Sequence, residues 1–132
     1  METNANSLTN EQWRQRLTPE QYRVLREKGT EPPGSGRFIK PVGNGIFACA
    51  GCGAELFESD DHFEAHCGWP SFSDVISRDA IKETNDRSHG MNRIEVTCAN
   101  CGGHLGHVFN DGPAPTGLRY CINSVSIEHI DR

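Results

Sequence analysis

Four of the chain's six cysteines stand in two Cys-x-x-Cys turns, Cys49-Ala50-Gly51-Cys52 and Cys98-Ala99-Asn100-Cys101. Each turn follows a strand-like run and leads into a glycine. Such a turn aims two thiolates at one point, and two of them complete a tetrahedral zinc site. Four cysteines leave no open coordination position, so one zinc held this way is structural rather than catalytic. Forty-five residues separate the pairs, more than the roughly 15–20 of a common zinc ribbon. The ion would clip together hairpins that are distant in sequence, with the apparent binding energy of about 10–16 kcal/mol seen in small zinc domains. Three other uses of these residues compete. A thioredoxin-like redox dithiol fits poorly, because the motif occurs twice and no βαβ pattern surrounds it. His104 or His107 is within ligand spacing of the second turn, but four thiolates already saturate zinc. His62-Phe63-Glu64 suggests a zinc deaminase, yet that chemistry wants proline before its Cys-x-x-Cys, and Thr97 stands there.

A metal clip suits the composition. At 132 residues the chain reads as one domain, able to bury roughly two-thirds of its unfolded surface. Only 35% of residues are hydrophobic, while there are 14 glycines and 7 prolines, so the fold should be rich in loops. No stretch approaches the ~20 apolar residues of a membrane span. The polar start, residues 1–10, lacks the basic and apolar regions of a secretory signal. Cytoplasm is the default, and there cysteines serve metals or redox catalysis more often than disulfides. A net charge of −5 argues against a nucleic-acid partner, which would leave a basic footprint.

Along the chain, residues 1–8 read as a flexible tail and residues 9–132 as the folded domain. Thr9 can cap a short helix over 11–17. Thr18-Pro19-Glu20-Gln21 starts a second helix, with Thr18 as cap and Pro19 at the first helical position. That helix should end by Gly29, before a Gly- and Pro-rich stretch over 29–36. Strands are expected over 46–49, 55–58, 91–98 and 118–127. Two helices thus lead into a small antiparallel β domain.

The remaining cysteines are Cys67 and Cys121. On a strand over 118–127 side chains alternate, so Arg119, Cys121 and Asn123 share a face that turns apolar at Val125 and Ile127. A cation beside a thiol favours the attacking thiolate. Alone, this pattern fits an inert buried cysteine equally well. His104 and His107 shift the balance toward catalysis. Glycines at 102, 103 and 106 let another backbone approach them, and Asp111 is near enough to orient an imidazole or pair with Arg119. Cys67 opens Cys67-Gly68-Trp69-Pro70-Ser71-Phe72, where Trp69 can wall a small apolar pocket suited to a thioether methyl.

Together Gly29-Thr30-Glu31-Pro32-Pro33, Cys67-Gly68-Trp69-Pro70-Ser71-Phe72, Ser88-His89-Gly90-Met91, His104-Leu105-Gly106-His107-Val108-Phe109 and Arg119-Tyr120-Cys121-Ile122-Asn123-Ser124 resemble the signature blocks of B-type methionine sulfoxide reductases. The resemblance spans residues 9–132, with both cysteine pairs in order. It implies a mainly β fold of two packed antiparallel sheets, a β-tent, with short N-terminal helices and a structural zinc. It implies reduction of the R epimer of methionine sulfoxide, since the S epimer is served by another fold whose Gly-Cys-Phe-Trp motif is absent here. In that pattern Cys121 is the nucleophile and Cys67 the resolving cysteine. His104, His107 and Asn123 form the acid and water-positioning set, supported by Asp111 and Arg119. Trp69 and Phe109 bind the substrate. The implied partners are oxidised proteins or peptides and thioredoxin, with no nucleic acid or membrane. The rival reading is a non-enzymatic binding module on the same scaffold, which would need neither Cys121 nor the paired histidines.

Overall fold

Two capping boxes set the helices. In a computed structural model, which describes residues 9–30, 44–63, 68–87 and 90–131, Thr9 caps α1 (Asn10–Arg16) and Thr18 caps α2 (Pro19–Leu25). Each threonine hydroxyl accepts from the backbone three residues on, and Gln12 and Gln21 reach back to the cap N–H groups at 2.8 and 3.0 Å. These bonds satisfy N–H groups that a helix start leaves without partners. The turn after α2 differs from expectation in one detail: Lys28, not glycine, takes the left-handed conformation (φ 57°). Gly29 N–H still closes the helix by donating to the Arg23 carbonyl at 2.9 Å. The tail at 1–8, most of the Gly- and Pro-rich stretch, Cys67 and the Ser88-His89 pair lie outside the described residues.

The strands follow as β1 (Gly45–Cys49), β2 (Glu55–Glu58), β3 (His62–Phe63), β4 (Ser71–Phe72), β5 (Ile81–Asp86), β6 (Arg93–Cys98), β7 (His104–Phe109), β8 (Arg119–Ile122) and β9 (Ile127–Asp131). Among the described residues they form two antiparallel sheets, ordered β2-β1-β9 and β3-β4-β8-β7-β6-β5. The mainly β class with two N-terminal helices is as expected. No helix of the described residues is long and apolar enough to cross a membrane.

One expected strand is really two. Residues 118–127 do not run through; β8 ends at Ile122, a 3-10 turn occupies Ser124–Ser126, and β9 joins the other sheet. The break comes after Asn123, whose N–H makes the last in-register bond to β7, donating to the Leu105 carbonyl at 2.9 Å. Cys121 and Ile127 therefore belong to different sheets. Strands β5 and β7 were not legible: four of the six side chains of β5 are exposed, so it carries no apolar alternation.

Aromatic rings pin the sheets together. Phe57 of β2 stacks on Phe72 of β4 with centroids 4.3 Å apart, and Phe47 of β1 meets Phe72 edge-on at 5.0 Å. All three are fully buried, and such pairs add about 0.5–1.5 kcal/mol beyond their burial. His62 joins the stack on Phe72, so it serves the core.

Candidate active site

Two features organise the chemistry: a four-sulfur cluster and a cavity on the polar face of the larger sheet. Cys49 and Cys101 sulfurs are 3.7 Å apart, Cys52 and Cys98 sulfurs 3.6 Å, and all four lie within 4.8 Å of one another. Thiolates about 2.3 Å from a tetrahedral ion would lie about 3.8 Å apart, so the cluster fits a bound metal. The two turns are alike. Gly53 N–H donates to the Cys49 carbonyl and Gly102 N–H to the Cys98 carbonyl; both glycines have positive φ, 80° and 76°, a conformation that side chains disfavour. Neighbouring thiols, Cys101 foremost, pull the Cys98 pKa down to about 7. Ligation requires thiolate; the Cys49 thiol, bonded foremost to Cys101, is pushed up instead. The helices seal this corner: Arg26 donates to the Cys101 carbonyl at 2.8 Å and lies over the buried Trp13 ring.

The cavity, about 240 Å³, is lined by Trp69, His107, Phe109, Arg119, Cys121 and Asn123 among others. It is smaller than the ~300–1,000 Å³ of most ligand pockets, a size for one side chain. Strand register builds it. Cys121 is the direct cross-strand partner of His107 on one side and of Ser71 on the other, and Phe109 pairs with Arg119. Paired residues share a face with Cβ atoms about 4.5–5.5 Å apart. Gly106 permits this pairing, because a Cβ there would collide with the Cys121 carbonyl. Arg119 lies 4.5 Å over the Phe109 ring and holds Asp111 by two bonds, 2.8 and 3.2 Å. The guanidinium keeps the Asp111 carboxyl below its ordinary pKa.

A bulge brings the second histidine to the same face. Residues three apart on a regular strand point to opposite faces. Between β6 and β7 the register slips: Val96 pairs with Gly106 but Thr97 with His104, leaving Leu105 unmatched. This extra residue re-aims His104, and the two imidazoles sit with centroids 5.6 Å apart. Asn123 holds the bulge, its backbone N–H and side-chain amide both donating to the Leu105 carbonyl at 2.9 and 3.0 Å.

Residues 17–131 match the SelR domain family. The chain is 62% identical over 117 residues to the peptide methionine sulfoxide reductase MsrB of Methanosarcina barkeri, covering 89% of this chain and 82% of that one. It is 58% identical over 127 residues to the MsrB of Methanosarcina mazei, covering 96% and 91%. The Leptospira interrogans MsrB is 54% identical over 120 residues, covering 91% and 92%. The chain belongs to the MsrB family.

In this MsrB chain the structure gathers Cys121, His107, Asn123, Arg119, Trp69 and Phe109 around one cavity. Asp111 stands behind Arg119. His104 is one step removed, in an adjoining cavity of about 300 Å³ that shares His107 and Thr30 with the first. Three charged residues on β5 and β6 were missed in the sequence. Glu95 accepts from His104 Nδ1 at 2.8 Å and from Lys28 at 3.4 Å, and Asp86 from His107 Nε2 at 2.7 Å and Arg93 at 3.4 Å. The available signal was alternation: Arg93 and Glu95 fall on one face of a strand whose other face carries Ile94 and Val96.

Burial, the largest influence, holds the His104 imidazole below its ordinary pKa despite Glu95. The unfolded chain then binds a proton near pH 6.5 that the folded chain resists. In that window the unfolded state carries more protons, so stability rises with pH and falls as pH drops through about 6.5. The unfolding midpoint should therefore fall between pH 7 and pH 5, and less steeply in His104→Gln. Parallel curves for the two proteins would contradict this.

Proposed function

We propose that this MsrB chain reduces the R epimer of methionine sulfoxide in proteins by thiol chemistry at Cys121. The observation that carries the reading is the cross-strand pairing of Cys121 with His107 at a side-chain-sized cavity. A nucleophile and a proton donor stand on facing strands, with aromatic walls for the substrate methyl and polar groups for its oxygen. The Cys121 thiolate attacks the sulfoxide sulfur while His107 delivers a proton to the oxygen as general acid. The hydroxyl passes to the cysteine sulfur, the sulfur–carbon framework leaves as methionine, and Cys121 is oxidised to sulfenic acid. His107 is favoured over His104 as donor because it lines the cavity with Cys121. Arg119 and Asn123 complete the polar wall, and Trp69 and Phe109 hold the methyl group.

Cys67 then attacks the sulfenic sulfur, water leaves, and a Cys121–Cys67 disulfide forms. A thioredoxin dithiol reduces that bond by exchange. The metal of the four-cysteine cluster is zinc, held by Cys49, Cys52, Cys98 and Cys101, and it supplies architecture alone. The R-epimer assignment rests on the sequence blocks around Cys67, His104 and Cys121.

The resolving step separates cleanly from the reducing step. Cys67→Ser should still release one methionine per enzyme in a single turnover without reductant. Its steady-state turnover with thioredoxin should fall by about tenfold or more, because thioredoxin exchanges with a disulfide that can no longer form. Dithiothreitol, small enough to reach the sulfenic acid, should restore much of the rate. Normal turnover of the variant with thioredoxin would make Cys67 a bystander.

A further inference from the structure

His107 must present one particular nitrogen to the substrate, and the structure holds a group that decides which. Its Nε2 lies 2.7 Å from Asp86 Oδ2, at the end of β5, three strands away from Cys121 in the sheet. The same Asp86 oxygen receives Arg93 Nη2 at 3.4 Å. Both side chains of the histidine–aspartate pair are mostly buried, 12% and 20% exposed. A carboxylate paired with a guanidinium only accepts hydrogen bonds, and Arg93 donates to this one. Nε2 must then carry a hydrogen, which leaves Nδ1 as the nitrogen available for transfer.

We infer that Asp86 is a positioning residue for the reduction, fixing the His107 ring and its tautomer so that Nδ1 hands the proton to the sulfoxide oxygen. This rests on the proposed reduction at Cys121. In the step, Nδ1 of the protonated ring loses its proton to oxygen, Nε2–H stays on Asp86, and solvent in the adjoining cavity returns a proton to Nδ1. Electrons come from the Cys121 sulfur alone. The charged and titratable groups around His107 are Asp86 from β5, Arg93 and Glu95 from β6, Arg119 and Cys121 from β8, Lys28 after α2, and His104 on its own strand. Of these, Asp86 is the one within hydrogen-bonding distance of a His107 ring nitrogen. His104 is held differently, through Nδ1 on Glu95, so the two imidazoles are not interchangeable.

The test uses the full chain and a methionine-R-sulfoxide peptide. Asp86→Asn should slow single-turnover methionine release by about ten- to a hundredfold, part of the ~10²–10⁴ a general acid supplies. The peptide concentration giving half-maximal rate should stay unchanged, and Asp86→Glu should recover much of the rate. Nitrogen-15 spectra of histidine-labelled enzyme should show His107 protonated at Nε2 in the wild type and a changed tautomer balance in Asp86→Asn. A wild-type ring lacking the Nε2 hydrogen overturns the inference, as does Asp86→Asn at full rate. So does a slow Asp86→Asn whose His107 signature is unaltered. Those results leave the reduction itself standing; failure of wild-type enzyme to release methionine would sink both.

Discussion

Cys121→Ser should abolish reduction while leaving the fold and the bound metal intact. A serine hydroxyl is far less ionised than a thiol at neutral pH and far less nucleophilic, so the loss should exceed about a thousandfold, as for other nucleophile removals. The exchange keeps the backbone pairing that positions the strand. β8 is held by β4 on one side and β7 on the other, through the backbone register of Cys121 with Ser71 and His107. The side chain is only partly buried, and the adjacent core residues Tyr120 and Ile122 point to the other face. The check is methionine release by purified variant, with circular dichroism and metal content measured on the same sample. The nucleophile assignment is falsified if a folded, metal-loaded serine variant retains more than a trace of activity.

Removing the metal should unfold the protein. Structural zinc binding in small domains amounts to about 10–16 kcal/mol, as large as the whole ~5–15 kcal/mol stability of an ordinary domain. Here the cluster joins the two sheets: Cys49 and Cys52 flank the turn leaving β1 in the smaller sheet, and Cys98 and Cys101 flank the turn between β6 and β7 in the larger. The seal of Trp13 and Arg26 over that corner depends on both turns keeping their shape. A strong chelator should therefore collapse the β-sheet signal and expose four thiols together. X-ray absorption of the loaded protein should show four sulfur neighbours and no imidazole nitrogen. An apo protein with unchanged thermal stability would refute the structural role.

Local features were legible in the sequence because their causes are local. The two capping boxes need only a threonine and a glutamine three residues apart, and both helices formed as expected. The four-sulfur cluster was readable because Cys-x-x-Cys-Gly dictates its own turn. What stayed hidden depends on pairing between distant strands. The bulge at Leu105, which turns His104 toward His107, exists only once β7 is registered against β6. Asn123 read as a mid-strand residue on the Cys121 face, yet it stands just past the end of β8 and its amide clasps that bulge. Asp86 sits on a strand so polar that no periodicity marked it, and only the β5–β6 and β6–β7 pairings carry it to His107. The Arg119–Asp111 pair, by contrast, was within reach of the sequence because the two close a single hairpin loop.

Epimer-resolved turnover is the most direct measurement. Dabsylated methionine sulfoxide, separated into R and S forms, is incubated with enzyme and dithiothreitol, and each epimer is followed by chromatography. The R form should be converted to methionine and the S form left untouched. Consumption of the S form, or no turnover of either by metal-loaded enzyme with all six cysteines reduced, would contradict the proposed reduction.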